Sequence, residues 1–294
     1  MLYRRSLSSR IFAVFNMTFL VGMALLCLAP LVHVLAVSFS ASSAAKAGLV
    51  TFWPVDFTLQ SYRFVAERPE FIRSILISVE RVLLGTLLNM LLTVLIAYPL
   101  SKDARSFPRR TLYVWIFVFS MLFSGGLIPW YMVIKETGLL NSIWALVLPG
   151  AVPVFNVILL LNFFRGLPKE LEESAFIDGG GYWKSLWRIY VPLSAPSLAT
   201  LTLFAMVGHW NSWFDGLILM GTPEKYPLSS YLQTVVVQMD IQSMIGSDLA
   251  SLQQISDQTA KAAQIFLGAL PILLVYPFLQ RYFVTGMTLG SIKE

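Results

Sequence analysis

Six stretches of about 20 or more mostly apolar residues divide this 294-residue chain, and no other feature limits its fold so strongly. About 20 residues of helix, rising 1.5 Å each, cross the hydrocarbon core of a bilayer. Backbone groups in lipid must be satisfied internally, so apolar runs of this length predict membrane-spanning helices. The expected spans are about Ile11–Phe39, Phe71–Leu100, Thr111–Ile134, Ile143–Phe164, Leu193–Met220 and Ala262–Phe283. Composition agrees: 13% of residues are charged, against about 25% in soluble domains. The fold class is therefore all-α, a polytopic membrane protein with the lipid bilayer as its solvent. Ala45-Lys46-Ala47 has the look of a signal-peptidase site. The apolar run before it, Ile11–Val37, has 27 residues, whereas a signal-peptide core has about 7–15, so a retained first helix is expected.

Positive charge sets the orientation. Thirteen Lys and Arg residues fall on the side holding both termini, residues 101–110 and the segment after the fourth span, against seven on the other side. Both termini are thus expected in the cytoplasm, with a 221–261 loop outside. The net charge of +5 reads as loop asymmetry rather than as a nucleic-acid surface. Cys27 is the single cysteine and His33 and His209 the only histidines, so no intrachain disulfide and no His-based metal site is expected. No phosphate-binding loop, metalloprotease motif or nucleophile elbow occurs, which leaves no catalytic residues and no cofactor site to name in this chain.

Between the fourth and fifth apolar runs lies Pro168–Pro196, PKELEESAFIDGGGYWKSLWRIYVPLSAP. Pro168 suits the first turn of a helix, and Glu170, Glu172 and Glu173 suit its positive end. Gly179-Gly180-Gly181 permits a sharp reversal. Trp183, Leu186, Trp187 and Tyr190 then recur as one apolar stripe on a second short helix. Residues 168–192 are therefore a helix–turn–helix at the membrane surface, and periodicity alone serves an interfacial anchor as well as a docking element.

The order of residues in this loop is similar to the EAA loop of permease subunits of ATP-binding-cassette importers. That pattern reads approximately E-A-A-x-x-D-G-A followed by I-x-L-P. Glu173, Ser174 and Ala175 occupy the first positions, Asp178 and Gly179 the central pair, Ile189 and Pro192 the end. Ser174, Gly180 and Val191 depart from it. The six-span plan, the Tyr98-Pro99-Leu100-Ser101 end of the second span and Trp210-Asn211 of the fifth resemble the sugar-importer branch, near the maltose permease's smaller subunit and its oligosaccharide-type relatives. The resemblance implies a single permease domain over 1–294. It implies two ATPase subunits that bind ATP and Mg, a second homologous permease as heterodimer partner, and an external solute-binding protein delivering an oligosaccharide. Loops of this kind dock into grooves on the ATPase and drive an alternating-access pathway; the tail Gly290–Glu294 resembles segments reaching the same interface.

Other residues invite a role in the substrate pathway. Glu80 and Arg81 lie inside the second span, where charge is costly unless paired or hydrated. His209, Trp210, Asn211, Trp213 and Asp215 lie on the outer part of the fifth, where aromatic and amide groups suit a sugar, and equally suit an interfacial belt. Prolines inside the spans serve packing or a pathway that bends. Two other functions fit the hydropathy: an ion-coupled secondary transporter, with Glu80 as its deepest carboxylate, and a membrane anchor or assembly subunit without transport.

Overall fold

The computed structural model describes residues 7–235 and 257–291. Described residues are helical or irregular, with no strand among them. In chain order the helices are α1 (Leu7–Ser38), α2 (Ser42–Lys46), α3 (Gln60–Ala66), α4 (Pro69–Ser101), α5 (Arg110–Leu122), α6 (Leu127–Glu136), α7 (Ile143–Val147) and α8 (Val154–Arg165). There follow α9 (Glu170–Ile177), α10 (Tyr182–Ser185), α11 (Val191–Leu193), α12 (Ala195–Asn211) and α13 (Phe214–Leu219). Residues 228–235 are helical, α14, and Asp257–Ser291 is α15. Arg4, Arg5, the middle of the 221–261 loop and residues 292–294 with Lys293 lie outside the described residues.

Among the described residues, three helices are individually long and apolar enough to cross a membrane: Ser8–Ser38, Pro69–Ser101 and Gln258–Val275. The other expected spans are not straight. Thr111–Ile134 is broken between α5 and α6 by a 112° bend. The break falls at Ser124-Gly125-Gly126, where Gly126 takes φ 87°, open to glycine at little cost. Ile143–Phe164 bends by 46° ahead of Val154. Pro149 and Pro153 lack the amides that would continue the hydrogen-bond ladder there. Tyr182–Leu193 and Ala195–Asn211 meet at 81°. Counting each bent pair as one gives up to six spans among the described residues. The fifth is shorter than the expected Leu193–Met220: α12 stops at Asn211, and Ser212 is extended, so Trp213 and Asp215 lie beyond it. The sixth runs past Phe283 to Ser291. Apolar length was legible, but glycine and proline set the breaks.

The described residues cluster into two compact units. The first takes in residues up to Pro69 together with Thr234–Leu270. Here Ser40 Oγ donates to Ala36 O and accepts from the Val55 amide, while Phe39 stacks on Tyr62. Most of α1 exposes apolar side chains, among them Phe12, Phe15 and Leu26, the arrangement of a helix solvated by lipid.

The second unit takes in Glu70–Gln233 with the chain from Pro271 onward. Its core joins Val94, Ala97, Tyr98 and Leu100 of α4 to Val157, Leu160, Leu161 and Phe164 of α8. Leu186, Tyr190 and Leu201 complete it. A smaller cluster packs Ile134 against Ala145, Leu146, Leu219 and Met220. Both sites described next belong to this unit.

Candidate functional site

The hairpin α9–α10 is closed by glycine geometry. Gly179 has φ 74°. Its amide donates to Phe176 O at 3.1 Å and the Gly180 amide to Ala175 O at 2.7 Å. This is the Schellman pattern, in which a left-handed residue ends a helix and satisfies its last carbonyls. After α10, residues Leu186–Tyr190 form a π-helical turn. Pro192 lacks the amide that an α-helix would direct at the Arg188 carbonyl. The expected stripe splits accordingly. Leu186 and Tyr190 are 2% and 6% exposed, whereas Trp183 and Trp187 are 67% and 46% exposed. With Ile177 and Tyr182, Trp183 forms an apolar ridge at the hairpin tip.

Of the residues matched to the EAA pattern, Glu173, Ser174, Asp178 and Gly179 are exposed. Ala175 is half-buried, as is Ile189, which packs against the α4–α8 core; Pro192 is exposed. The residue that fastens the hairpin is Glu172. Its Oε1 accepts from Lys102 Nζ at 2.5 Å and from Tyr98 OH at 3.3 Å, and its Oε2 accepts from Tyr190 OH at 2.8 Å. Lys102 Nζ also sits 3.8 Å from the Tyr98 ring centroid and 4.1 Å from that of Tyr190. A desolvated cation over aromatic faces gains about 2 kcal/mol. Burial draws the Lys102 ammonium below its ordinary pKa, and Glu172 opposes that shift. Burial and the bond to Glu172 push the Tyr190 phenol above its own. Nearby, Arg110 and Arg165 donate to the carbonyls of Lys102 and Leu100, satisfying the end of α4. Among three neighbouring glutamates, sequence gave no ground for preferring Glu172. The signal available was Tyr98 and Lys102, four residues apart at the end of a span.

A second, polar site lies among α4, α8, α12 and the segment after it. Arg81 is 3% exposed. Its two terminal nitrogens donate to the two carboxylate oxygens of Asp215, and Nη1 also donates to Ser212 O at 3.2 Å. Asp215 Oδ1 accepts further bonds from Ser212 Oγ and the Gly216 amide, both at 2.9 Å. One helical turn along α4, Gly85 faces His209 so closely that a Cβ there would lie 2.5 Å from the imidazole Cε1. A turn further, Asn89 donates through Nδ2 to Gly150 O at 2.7 Å and Ala151 O at 3.0 Å. Its Oδ1 therefore accepts, and His209 Nε2, at 2.6 Å, carries the proton. Arg81, Asn89, His209, Ser212 and Asp215 line a cavity of about 440 Å3 with Trp130 and Asn156. Arg81, His209 and Asp215 thus come together around one cavity. Glu80, Asn211 and Trp213 are exposed and do not line the cavity, and Trp210 is buried toward α15 beside Pro271 and Val275. Asn89, Asn156 and Ser212 were missed, since single amides and hydroxyls in apolar runs carry no pattern of their own. Among the described residues no cluster of His, Cys, Asp and Glu is arranged to hold a metal ion.

Residues 3–289 match the family model described as "Binding-protein-dependent transport system inner membrane component". The chain is similar to Protein LplC of Bacillus subtilis (strain 168), 41% identical over 97% of this chain and 96% of that one. It is also similar to the polygalacturonan/rhamnogalacturonan transport system permease protein YtcP of the same organism, 38% identical over 98% and 100%. Among solved structures, a bacterial ABC transporter involved in the import of the acidic polysaccharide alginate aligns with a TM-score of 0.86. That alignment has 31% identity and covers 95% of this chain and 98% of that one.

Proposed function

The chain belongs to the family of inner-membrane components of binding-protein-dependent transport systems, and from that premise we propose that it is one half of the alternating-access pathway of an oligosaccharide importer. It is a sugar ABC importer permease subunit, and its relatives are transport permeases rather than enzymes. In this reading an external solute-binding protein delivers the substrate, and a second homologous permease completes the pathway. Two ATPase subunits, binding ATP and Mg, drive it from the cytoplasm, where both termini lie.

The observation that carries the reading is the hairpin. It presents Ile177, Tyr182 and Trp183 outward on a turn fixed by Gly179, while its base is held by a buried ion pair. An amphipathic helix entering a groove uses this kind of exposed anchor. The polar cavity supplies the pathway wall, with an indole, amides and an imidazole to meet sugar hydroxyls. An ion-coupled transporter needs a deep titratable carboxylate. Glu80 is exposed, and Asp215 is committed to Arg81.

Trp183→Asp is expected to release the ATPase from the purified complex and to reduce uptake to background, with normal insertion of the permease. Gly179→Pro, which forces φ near −65° where 74° is needed, is expected to do the same. Retention of the ATPase at wild-type amount in both variants would show that the hairpin is not the docking element. Uptake of labelled galacturonate, mannuronate and neutral gluco-oligosaccharides by the wild-type complex tests the substrate class; indifference to all three would count against oligosaccharide import.

A further inference from the structure

We propose that Lys102 and Glu172 form a buried link that passes movement of the hairpin to α4, the helix carrying Arg81 and Asn89 of the polar cavity and Gly85 against His209. The proposal rests on the hairpin being the ATPase-docking element and makes both residues positioning residues. One carboxylate gathers three elements: Lys102 at the end of α4, Glu172 in α9, and Tyr190 from the turn after α10. Tyr98, inside α4, adds a third contact to the carboxylate. Both arms of the hairpin are therefore tied to the same helix end through one pair.

Burial gives this pair its mechanical character. The Lys102 and Glu172 side chains are 9% and 15% exposed. Separating them would strand a cation inside an aromatic cage and a carboxylate beside two phenols, so hairpin and helix end move together. The other bridge between the same regions, Lys169 to Asp103, has side chains 68% and 57% exposed. An exposed pair of this kind is held weakly and cannot transmit force. From the link, α4 runs without a break back to Pro69, 33 residues or about 50 Å. Arg81, Gly85 and Asn89 follow at intervals of four, on one face of that rod. By contrast, α5–α6 and α7–α8 are interrupted by bends, and a bend absorbs displacement.

The experiment uses the complete transporter in proteoliposomes, with Cys27→Ser and a reporter cysteine at Phe204, which lines the cavity. The rate at which a membrane-impermeant maleimide labels the reporter is measured with and without ATP. With Lys102 intact, ATP is expected to change that rate. In Lys102→Met or Glu172→Gln the ATPase stays bound and hydrolyses ATP, while the ATP-dependent change shrinks about tenfold, within the usual range of a coupling free energy. An undiminished response in both variants overturns the link, and so does loss of the ATPase, which would make the pair part of the docking surface. Should either variant fail to accumulate, Tyr190→Phe decides. It keeps the ring and removes one bond to Glu172, so a partial loss is expected and an unchanged response overturns the proposal. Trp183→Asp separates the underlying reading. If that variant keeps its ATPase, docking itself fails; if it sheds the ATPase while Lys102→Met responds normally, only the link fails. No ATP response with Lys102 intact would defeat alternating access, and the link with it.

Discussion

Asp215→Ala is expected to destabilise the permease by about 3–5 kcal/mol, the cost of breaking a buried ion pair from one side, and to abolish uptake. Arg81 cannot solve the problem by moving. It sits in the middle of α4 with 3% exposure, and its Nε is already buried without a partner. Removing Asp215 takes away both carboxylate oxygens and leaves the guanidinium with the Ser212 carbonyl alone. It also orphans Ser212 Oγ and the Gly216 amide, which both donate to Asp215 Oδ1. Gly216 has little room to adjust, because a Cβ there would lie 3.0 Å from Pro227 Cδ and 3.1 Å from Ser230 Cβ. Thermal unfolding in detergent measures the loss. The double variant Arg81→Met/Asp215→Leu separates charge from shape: replacing both partners by apolar groups recovers most of the stability. Uptake remains low in that variant if the pair also forms the pathway wall. A single Asp215→Ala variant with wild-type melting and wild-type uptake would sink this account of the site.

The spans were legible because lipid imposes a length and a composition that soluble folds do not need. Their interruptions were less so. Gly126 could be read as permissive, but only its positive φ shows that the chain turns there. Prolines inside a span, such as Pro149 and Pro153, suit packing as well as bending, and their presence does not give the angle. The hairpin was legible in its spacing, and Gly179 in its place at the turn. Its attachment was not, because Glu170, Glu172 and Glu173 differ in sequence by one or two positions and in structure by which one faces Lys102. The polar cavity was half legible. A buried arginine announces itself in an apolar run, whereas its partner had to be found 134 residues later. Periodicity cannot decide such pairings, since it describes one helix at a time.

Gly85→Ala tests whether this cavity is a working surface or only a packing detail, and uptake is expected to fall to a few per cent of wild type. The argument is steric. A methyl group on Gly85 would overlap the His209 ring, with 2.5 Å to Cε1 and 2.7 Å to Cδ2. One of the two must move. Gly85 lies inside an unbroken helix whose backbone is held by its own hydrogen bonds, so the imidazole is displaced. It then loses its bond to Asn89 Oδ1, and that buried oxygen is left without its donor, at a cost of about 1–3 kcal/mol. Asn89 keeps its bonds to Gly150 and Ala151, so α4 stays joined to the start of α8 and the permease still assembles with its partners. Alanine also favours helix by about 1 kcal/mol over glycine, which offsets part of the loss in stability and confines the defect to the cavity. The compensating variant is Gly85→Ala/His209→Ala, in which the methyl group has space. If the defect is steric crowding of the pathway, this double variant transports better than Gly85→Ala alone. If His209 itself must meet the substrate, both remain inactive and His209→Ala is equally inactive. Wild-type uptake in Gly85→Ala would mean that the imidazole has room to leave and that transport does not depend on where it sits.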